Sequence, residues 1–381
     1  MRVFLVAAEA SGDALGADLI RSLRAREPDI AFDGVGGARM AEAGLASKVD
    51  VSGLSVLGLF DGLKIYSRVI KAADDAAAAA VAFRPDAAVL IDSWGFTIRV
   101  AQRLRRALPD LPIVKYIGPQ VWAMRAGRAK TLAAVCDHLI CIHDFEPPYY
   151  APYGLACTVC GHPAIGRARL GDGAAFRTRH GLADAPLLLV LPGSRRAELR
   201  RIGPDLWGAA ALLKARFPGL RLGMVAADAV AEAARAQAPS DALIVPEAEK
   251  EDAFAAATLV LATSGTVTTE VALQGAPMLV AYRLGYFTYI TARALRLYKP
   301  RFITLLNIAA DREIAQEFVQ TRLSPEALAE AGAKLLADPS ARAAQIAGQN
   351  AALDRMGRGG RPAAEIAADA VLAVARAGRA R

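Results

Sequence analysis

Cysteine is scarce in this chain of 381 residues, which holds only Cys136, Cys141, Cys157 and Cys160. Four are too few for a disulfide framework at this length. Cys157 and Cys160 form a CxxC, but they sit in an apparent strand, "CTVC", with no second pair to complete a zinc site, and they read as small buried residues. Long apolar runs are missing as well. No window approaches the roughly 18 uninterrupted apolar residues of a spanning helix, so any membrane contact is expected to be peripheral. The opening "MRVFLVAAEASGD" has a short apolar run after Arg2, interrupted by Glu9 and Asp13. That pattern fits a strand and a glycine turn better than a signal peptide, and it points to a cytoplasmic protein. A net charge of +8 comes without any nucleic-acid motif carrying interleaved aromatics, so an anionic substrate or an anionic membrane face accounts for it as well. There is no GxxxxGK[ST], no GxGxxG and no DxD-like pair. A P-loop ATPase and an NAD enzyme are therefore disfavoured, and neither a metal nor a cofactor is expected.

What is present is apolar sequence with a regular grammar. Apolar residues make up 54% of a chain long enough for two domains of roughly 150 to 200 residues, and no low-complexity polar tail occurs. Strands alternate with helices. "RVFLVAA", "DIAFDGVG", "DAAVLID", "PIVKYIG", "HLICI" and "CTVCG" read as a first strand series, with helices after Asp13, over Leu63 to Phe83, after Phe96 and over Arg125 to Val135. "PLLLVLPGS", "RLGMVAA", "DALIVPE", "ATLVLATSG" and "PMLVAYR" form a second series. Its helices follow Ser194, span Asp228 to Ala236 and follow Ser264. Two successive series predict an α/β protein of two Rossmann-like, doubly wound domains, with ligands bound beyond the carboxyl ends of the strands, in the cleft expected between them. We expect a first domain over residues 1–165, a second over 166–340 and C-terminal helices over 341–381 packing on a domain or on a partner subunit. The boundary falls near "GHPAIGRARLGDG".

Several strand ends carry residues suited to chemistry. In "LVLPGSRRAELRR", Gly193, Ser194 and Arg195 bring backbone N–H groups, a hydroxyl and a guanidinium to one anion-sized place, with Ser194 expected to cap the following helix. In "LATSGTVTTEVALQG", Ser264, Gly265 and Thr266 repeat that turn, and Glu270 stands where an acidic side chain meets a ribose in dinucleotide sites. An ordinary capped turn has the same grammar. In the first series, "EASGD" places Ser11, Gly12 and Asp13 between a strand and a helix, and "GVGGARM" adds a second glycine loop. "AAVLIDSWGF" ends a buried strand with Asp92, a place for a general base or for a helix N-cap.

Taken in order, "EASGD", "GVGGARM", "PDAAVLIDS", "YIGPQVWAMRAGRAK", "VCGHP", "LPGSRRAE", "ATSGTVTTEVALQGAPMLVAYR" and "LLNIAADREIAQEFVQ" resemble the motifs of the lipid-A-disaccharide synthase family, from about residue 3 to residue 322. The resemblance implies an inverting glycosyltransferase of GT-B arrangement. Its donor would be UDP-2,3-diacylglucosamine and its acceptor 2,3-diacylglucosamine 1-phosphate, giving a β-1,6-linked disaccharide 1-phosphate and UDP in lipid A biosynthesis. It assigns Gly193, Ser194 and Arg195 to the donor diphosphate, and Ser264, Gly265, Thr266 and Glu270 to the rest of UDP. Asn307, Glu313, Glu317 and Gln320 match a further family motif and are counted with the nucleotide-sugar residues. Asp92 matches the candidate base for the acceptor's 6-hydroxyl. Gln120, Trp122, Arg125 and Arg128 match a first-domain motif on the acceptor side, together with Ser11, Gly12 and Asp13.

Acyl chains need an apolar surface, and "LSVLGLFDGLKIYSRVIK" supplies Leu57, Leu59, Phe60 and Leu63 beside Lys64, Arg68 and Lys71, the composition of an interfacial helix. "YFTYITARALRLYKPRF" is a second candidate for that face. The resemblance thus implies peripheral attachment to the anionic inner face of the inner membrane, and a homodimer is expected by resemblance alone. The chain departs from the family after Asp92, where Ser93, Trp94, Gly95, Phe96 and Thr97 replace one small residue and Pro-Asp-Phe-Asn, and where Leu306 replaces a proline before Asn307. Those changes leave open a GT-B enzyme with another lipid acceptor and a catalytically silent nucleotide-sugar binder. A UDP-sugar epimerase of the same architecture is the competing enzyme, and a basic nucleic-acid binder is a more distant reading.

Overall fold

The computed structural model describes every residue except 48, 52–61, 167, 285–300 and 380–381, and no side chain is described at 62–65 or 229. Leu57, Leu59 and Phe60 therefore lie outside the described residues, as does nearly all of the second aromatic and basic stretch. Leu63 is placed only as part of the helix Gly62–Phe83. The chain forms two units, one of Met1–Gly166 with Gly359–Arg381 and one of Arg167–Arg358.

The first unit holds strands β1 (Arg2–Val6), β2 (Ala31–Val35), β3 (Ala87–Ile91), β4 (Ile113–Tyr116), β5 (His138–Cys141) and β6 (Ala156–Val159), all parallel in the order β2-β1-β3-β4-β5-β6. Burial on both faces explains why β1, β3 and β4 are nearly uninterrupted in apolar residues. One face packs on helices Gly62–Phe83 and Trp94–Ala107 through Phe4, Leu90, Ala76, Val100 and Leu104. The other packs on Ala10–Arg26 and on the last helix, Ala363–Arg379, through Leu5, Val89, Leu19, Val371 and Leu372. That last helix is fixed at its polar rim, where Arg26 reaches Glu365 and Asp369 and Arg379 reaches Asp86. Its companion Pro339–Arg355 packs in the second unit, against helices Thr266–Leu273 and Leu305–Ala310.

The second unit holds β7 (Leu187–Leu191), β8 (Arg221–Val225), β9 (Leu243–Val245), β10 (Leu259–Thr263), β11 (Met278–Tyr282) and a short edge strand β12 (Glu317–Val319), parallel in the order β12-β11-β10-β7-β8-β9. Its core joins Leu188, Val190, Leu206, Leu213, Leu261 and Phe318. Strand order reverses between β1 and β3 in one sheet and between β7 and β10 in the other. In such sheets the loops leaving those strands diverge and open a crevice.

Candidate functional site

The crevice of the second unit holds a pocket, and the first unit has one after β3, β4 and β5. In the second unit a pocket of about 300 Å³ is lined by Gly193, Ser194, Arg195, Ser264, Gly265, Thr266 and Glu270, so both expected turns open into one space. Gly193 has φ +111°, and a Cβ there would meet the Glu198 carboxylate at 2.7 Å, so the turn requires glycine. The structure corrects the expected cap. Helix Arg196–Arg216 has Arg195, not Ser194, at its N-cap, with extended backbone and no side-chain cap. Glu198 folds back instead, accepting from Ser194 N at 3.1 Å and pairing with the Arg195 guanidinium at 2.7 Å. Arg195 is 77% exposed in that pair. Gly265 likewise occupies the N-cap of Thr266–Leu273 without a side-chain bond, which leaves that helix start open to a ligand. Glu270 is paired with Lys250 at 2.9 Å, and the Thr263 hydroxyl is buried without a partner among the described residues.

Asn307, Glu313, Glu317 and Gln320 are not among the residues lining this pocket. Asn307 and Glu317 are buried and turned on each other. The Glu317 carboxylate accepts from Ile303 N, Thr304 N, the Thr304 hydroxyl and Asn307 Nδ2 at 2.7–3.1 Å, while Asn307 Oδ1 accepts from Ile314 N and Ala315 N. They lock the chain from 303 to 317 into one shape. Glu313 accepts from Glu317 N and borders a separate pocket of about 630 Å³. Gln320 has φ +56° and a buried Nε2 without a partner among the described residues.

In the first unit a pocket of about 280 Å³ is lined by Asp92, Trp94, Lys115, Gln120, Trp122, Arg128, His143 and Glu146. Asp92 follows β3 with φ +48°, and Ser11 Oγ donates to its carboxylate at 3.1 Å. Asp13 is spent elsewhere. Its carboxylate accepts from Gly37 N, Arg39 N and Met40 N at 2.7–3.0 Å, and a Cβ on Gly37 would strike it at 2.7 Å. Asp13 thus ties the second glycine loop to the first helix. A Cβ on Gly12 would make only ordinary contacts with Ala7, Ile91 and Asp92, and Arg125, exposed with φ +54°, does not line the pocket. Trp94 supports Arg128, whose guanidinium lies 5.2 Å from its ring centroid, while burial and the neighbouring Arg125 press against the Arg128 charge.

Three polar residues of this pocket escaped the sequence reading. Lys115, inside β4, is 2% exposed and donates to the Asp92 carbonyl and to Thr97 Oγ1 at 2.9 Å. Burial lowers its pKa to about 8, against the opposing charges of Asp92, Cys136 and Glu9. Glu146 accepts from Ile142 N and His143 N, yet burial outweighs those bonds and lifts its pKa to about 7. His143 is held neutral by burial and by His162, with a pKa of about 4, and it stacks on Phe145. Its Nδ1 and the Trp122 indole N–H are buried without partners among the described residues. A charged residue inside "IVKY" was the one available signal for Lys115, because polar groups in a strand buried on both faces need a reason. Nothing in "HDFEPP" alone announces that two of its side chains are buried.

Comparisons with known proteins bear on the whole chain. Residues 3–371 match the family model described as lipid-A-disaccharide synthetase. Among curated proteins, the lipid-A-disaccharide synthase of Rhodospirillum centenum is 42% identical over 98% of this chain and 94% of its own length. That of Paramagnetospirillum magneticum is 39% identical over 100% and 99%. Among solved structures, a glycotransferase of kitacinnamycin superposes with a TM-score of 0.62 at 16% identity, covering 98% of each chain. A UDP-GlcNAc 2-epimerase from Neisseria meningitidis, bound to UDP-GlcNAc, superposes at 0.61 with 11% identity, covering 98% and 100%. The structural matches show the two-domain GT-B fold.

Proposed function

The chain belongs to the lipid-A-disaccharide synthetase family, and from that premise we propose a division of labour between its two pockets. The protein is a glycosyltransferase of lipid A biosynthesis, a lipid-A-disaccharide synthase taking a UDP-sugar donor and a lipid acceptor. The second unit's pocket holds UDP. The diphosphate meets the N–H groups beyond Gly193 and Gly265 and the hydroxyls of Ser194 and Thr266, with Arg195 leaving Glu198 to pair with it. Glu270, steadied by Lys250, takes the ribose. Asn307 and Glu317 shape this unit, and Gln320 offers an unused amide donor.

In the first unit, Asp92 accepts the proton of the acceptor's 6-hydroxyl as that oxygen attacks the anomeric carbon of the donor. The bond from that carbon to the diphosphate breaks, and UDP carries away the electron pair. Negative charge growing on UDP is stabilised by fixed backbone dipoles and Arg195. Gln120, Trp122 and Arg128 line the acceptor side, with Arg128 held over Trp94 as a cation for the acceptor phosphate. The single observation carrying this reading is that the glycine-serine turns after β7 and β10 line one pocket at the sheet's switch point. No helix among the described residues is long and apolar enough to cross a membrane. Peripheral binding to the anionic inner face of the inner membrane through the segment around residues 54–71, and a homodimer, complete the proposal.

The test is UDP release and product mass with UDP-2,3-diacylglucosamine, with and without 2,3-diacylglucosamine 1-phosphate. A disaccharide phosphate formed only with both substrates is expected. Donor binding without disaccharide would refute the assignment of the acceptor.

A further inference from the structure

Lys115 stands out because nothing about packing calls for it. Its neighbours in β4, Ile113, Val114 and Tyr116, are buried apolar or aromatic residues, and an aliphatic side chain would fill the same place. Taking an ammonium group out of water without a counter-charge is strongly unfavourable. Among the described residues no carboxylate lies within ion-pair distance of Lys115, and its hydrogen-bond partners are the Asp92 carbonyl and the Thr97 hydroxyl.

The strained turn beside it gives that cation a purpose. Asp92 and Ser93 have φ of +48° and +40°, a conformation unfavourable for residues other than glycine. Strain of this kind persists only where surrounding contacts over-determine it. Here two consecutive residues of β4 grip Asp92 from both ends of its backbone. Tyr116 O accepts from Asp92 N at 2.9 Å, and Lys115 Nζ donates to the Asp92 carbonyl. Thr97 closes the figure, its hydroxyl donating to the same carbonyl at 2.8 Å while accepting from Lys115. The side chain of Asp92 is then left to Ser11 and the pocket.

We propose that Lys115 is a positioning residue for glycosyl transfer, its ammonium holding the Asp92 carbonyl in the left-handed turn that presents the Asp92 carboxylate to the acceptor. This rests on the reading of Asp92 as the base. Lys115 touches no substrate in this account and acts through Asp92 alone.

The experiment uses the full-length enzyme with Lys115→Met, which keeps length and removes charge. Turnover should fall about 30- to 100-fold, the scale of a small misplacement of a catalytic group, with both KM values and UDP affinity within twofold of wild type. A crystal structure of the variant should show Asp92 outside the left-handed region. In an Asp92→Asn background the same substitution should cost nothing further, whereas general loosening of the unit would reduce both backgrounds alike. Turnover within threefold of wild type, an unmoved Asp92 backbone, or an equal loss in both backgrounds would overturn the proposal. Should Lys115→Met not fold, Thr97→Val removes the shared hydroxyl and should lower turnover about 3- to 10-fold at unchanged KM; no loss there would overturn it equally. If Asp92→Asn itself keeps normal turnover, the base assignment fails instead, and the Asp92 backbone in the Lys115→Met structure still decides whether Lys115 holds the turn.

Discussion

The pocket after β7 and β10 is built around two glycine turns at helix starts, and the pocket after β3, β4 and β5 around buried titratable side chains. The first offers helix starts, glycine turns and ion pairs that reach solvent, such as Arg195 with Glu198. The second gathers a buried lysine, a buried neutral histidine and a glutamate lifted to about 7 around an aspartate in strained backbone. Backbone dipoles suit a ligand that brings its own charge, as UDP does. Buried side chains suit a step in which a proton moves, because environment sets where protons reside.

The comparison breaks most sharply at Asp92. Asp92→Asn should lower turnover about 10³-fold while leaving UDP affinity within twofold, read by steady-state kinetics and calorimetry; near-normal turnover would remove the first pocket from the chemistry. Next in size is the scaffold of the second unit. Asn307→Ala strands the Ile314 and Ala315 N–H groups and part of the Glu317 carboxylate, and should cost roughly 3 kcal/mol in denaturant unfolding. A loss of UDP affinity without a loss of stability would instead put Asn307 on the ligand.

Glu146 sharpens the contrast through pH. Its folded pKa of about 7 lies above the ordinary 4.5, so the folded state binds the extra proton between those values and loses stability as pH rises through them. Glu146→Gln should therefore be more stable than wild type by about 3 kcal/mol at pH 8, with the gap closing below pH 4.5. A pH-independent gap would mean that the burial of Glu146 carries no charge cost. The smallest effect belongs to exposed Arg195. Arg195→Ala should lower kcat/KM for the donor about tenfold, with kcat sharing in the loss, and an unchanged kcat/KM would free Arg195 from the diphosphate.

How much of this could be read from sequence follows the same division. Parallel strands announced themselves through apolar runs such as "LLLVL" and "AAVLI", and the turns that line the second unit's pocket through Gly193 and Gly265, because backbone geometry leaves a local mark. Strand β12 did not, since "EFV" is three residues long and begins with Glu317, whose burial depends on Asn307 ten residues earlier. Ser194 was misread as a cap because Glu198, four residues on, reaches back and takes its N–H. Asp13 beside Ser11 looked like a ligand residue, and only the fold brings the 37–40 loop onto its carboxylate. Lys115 comes from β4, and His143 and Glu146 from the segment after β5; they meet through the order of the sheet, which no short motif encodes.

The most direct test of the division between the pockets is a crystal structure with UDP bound. The account predicts the diphosphate on the N–H groups of the turns at Gly193–Arg195 and Ser264–Thr266, the ribose beside Glu270, and Arg195 turned away from Glu198. UDP found instead in the pocket of Asp92, Trp94 and Arg128 would contradict it.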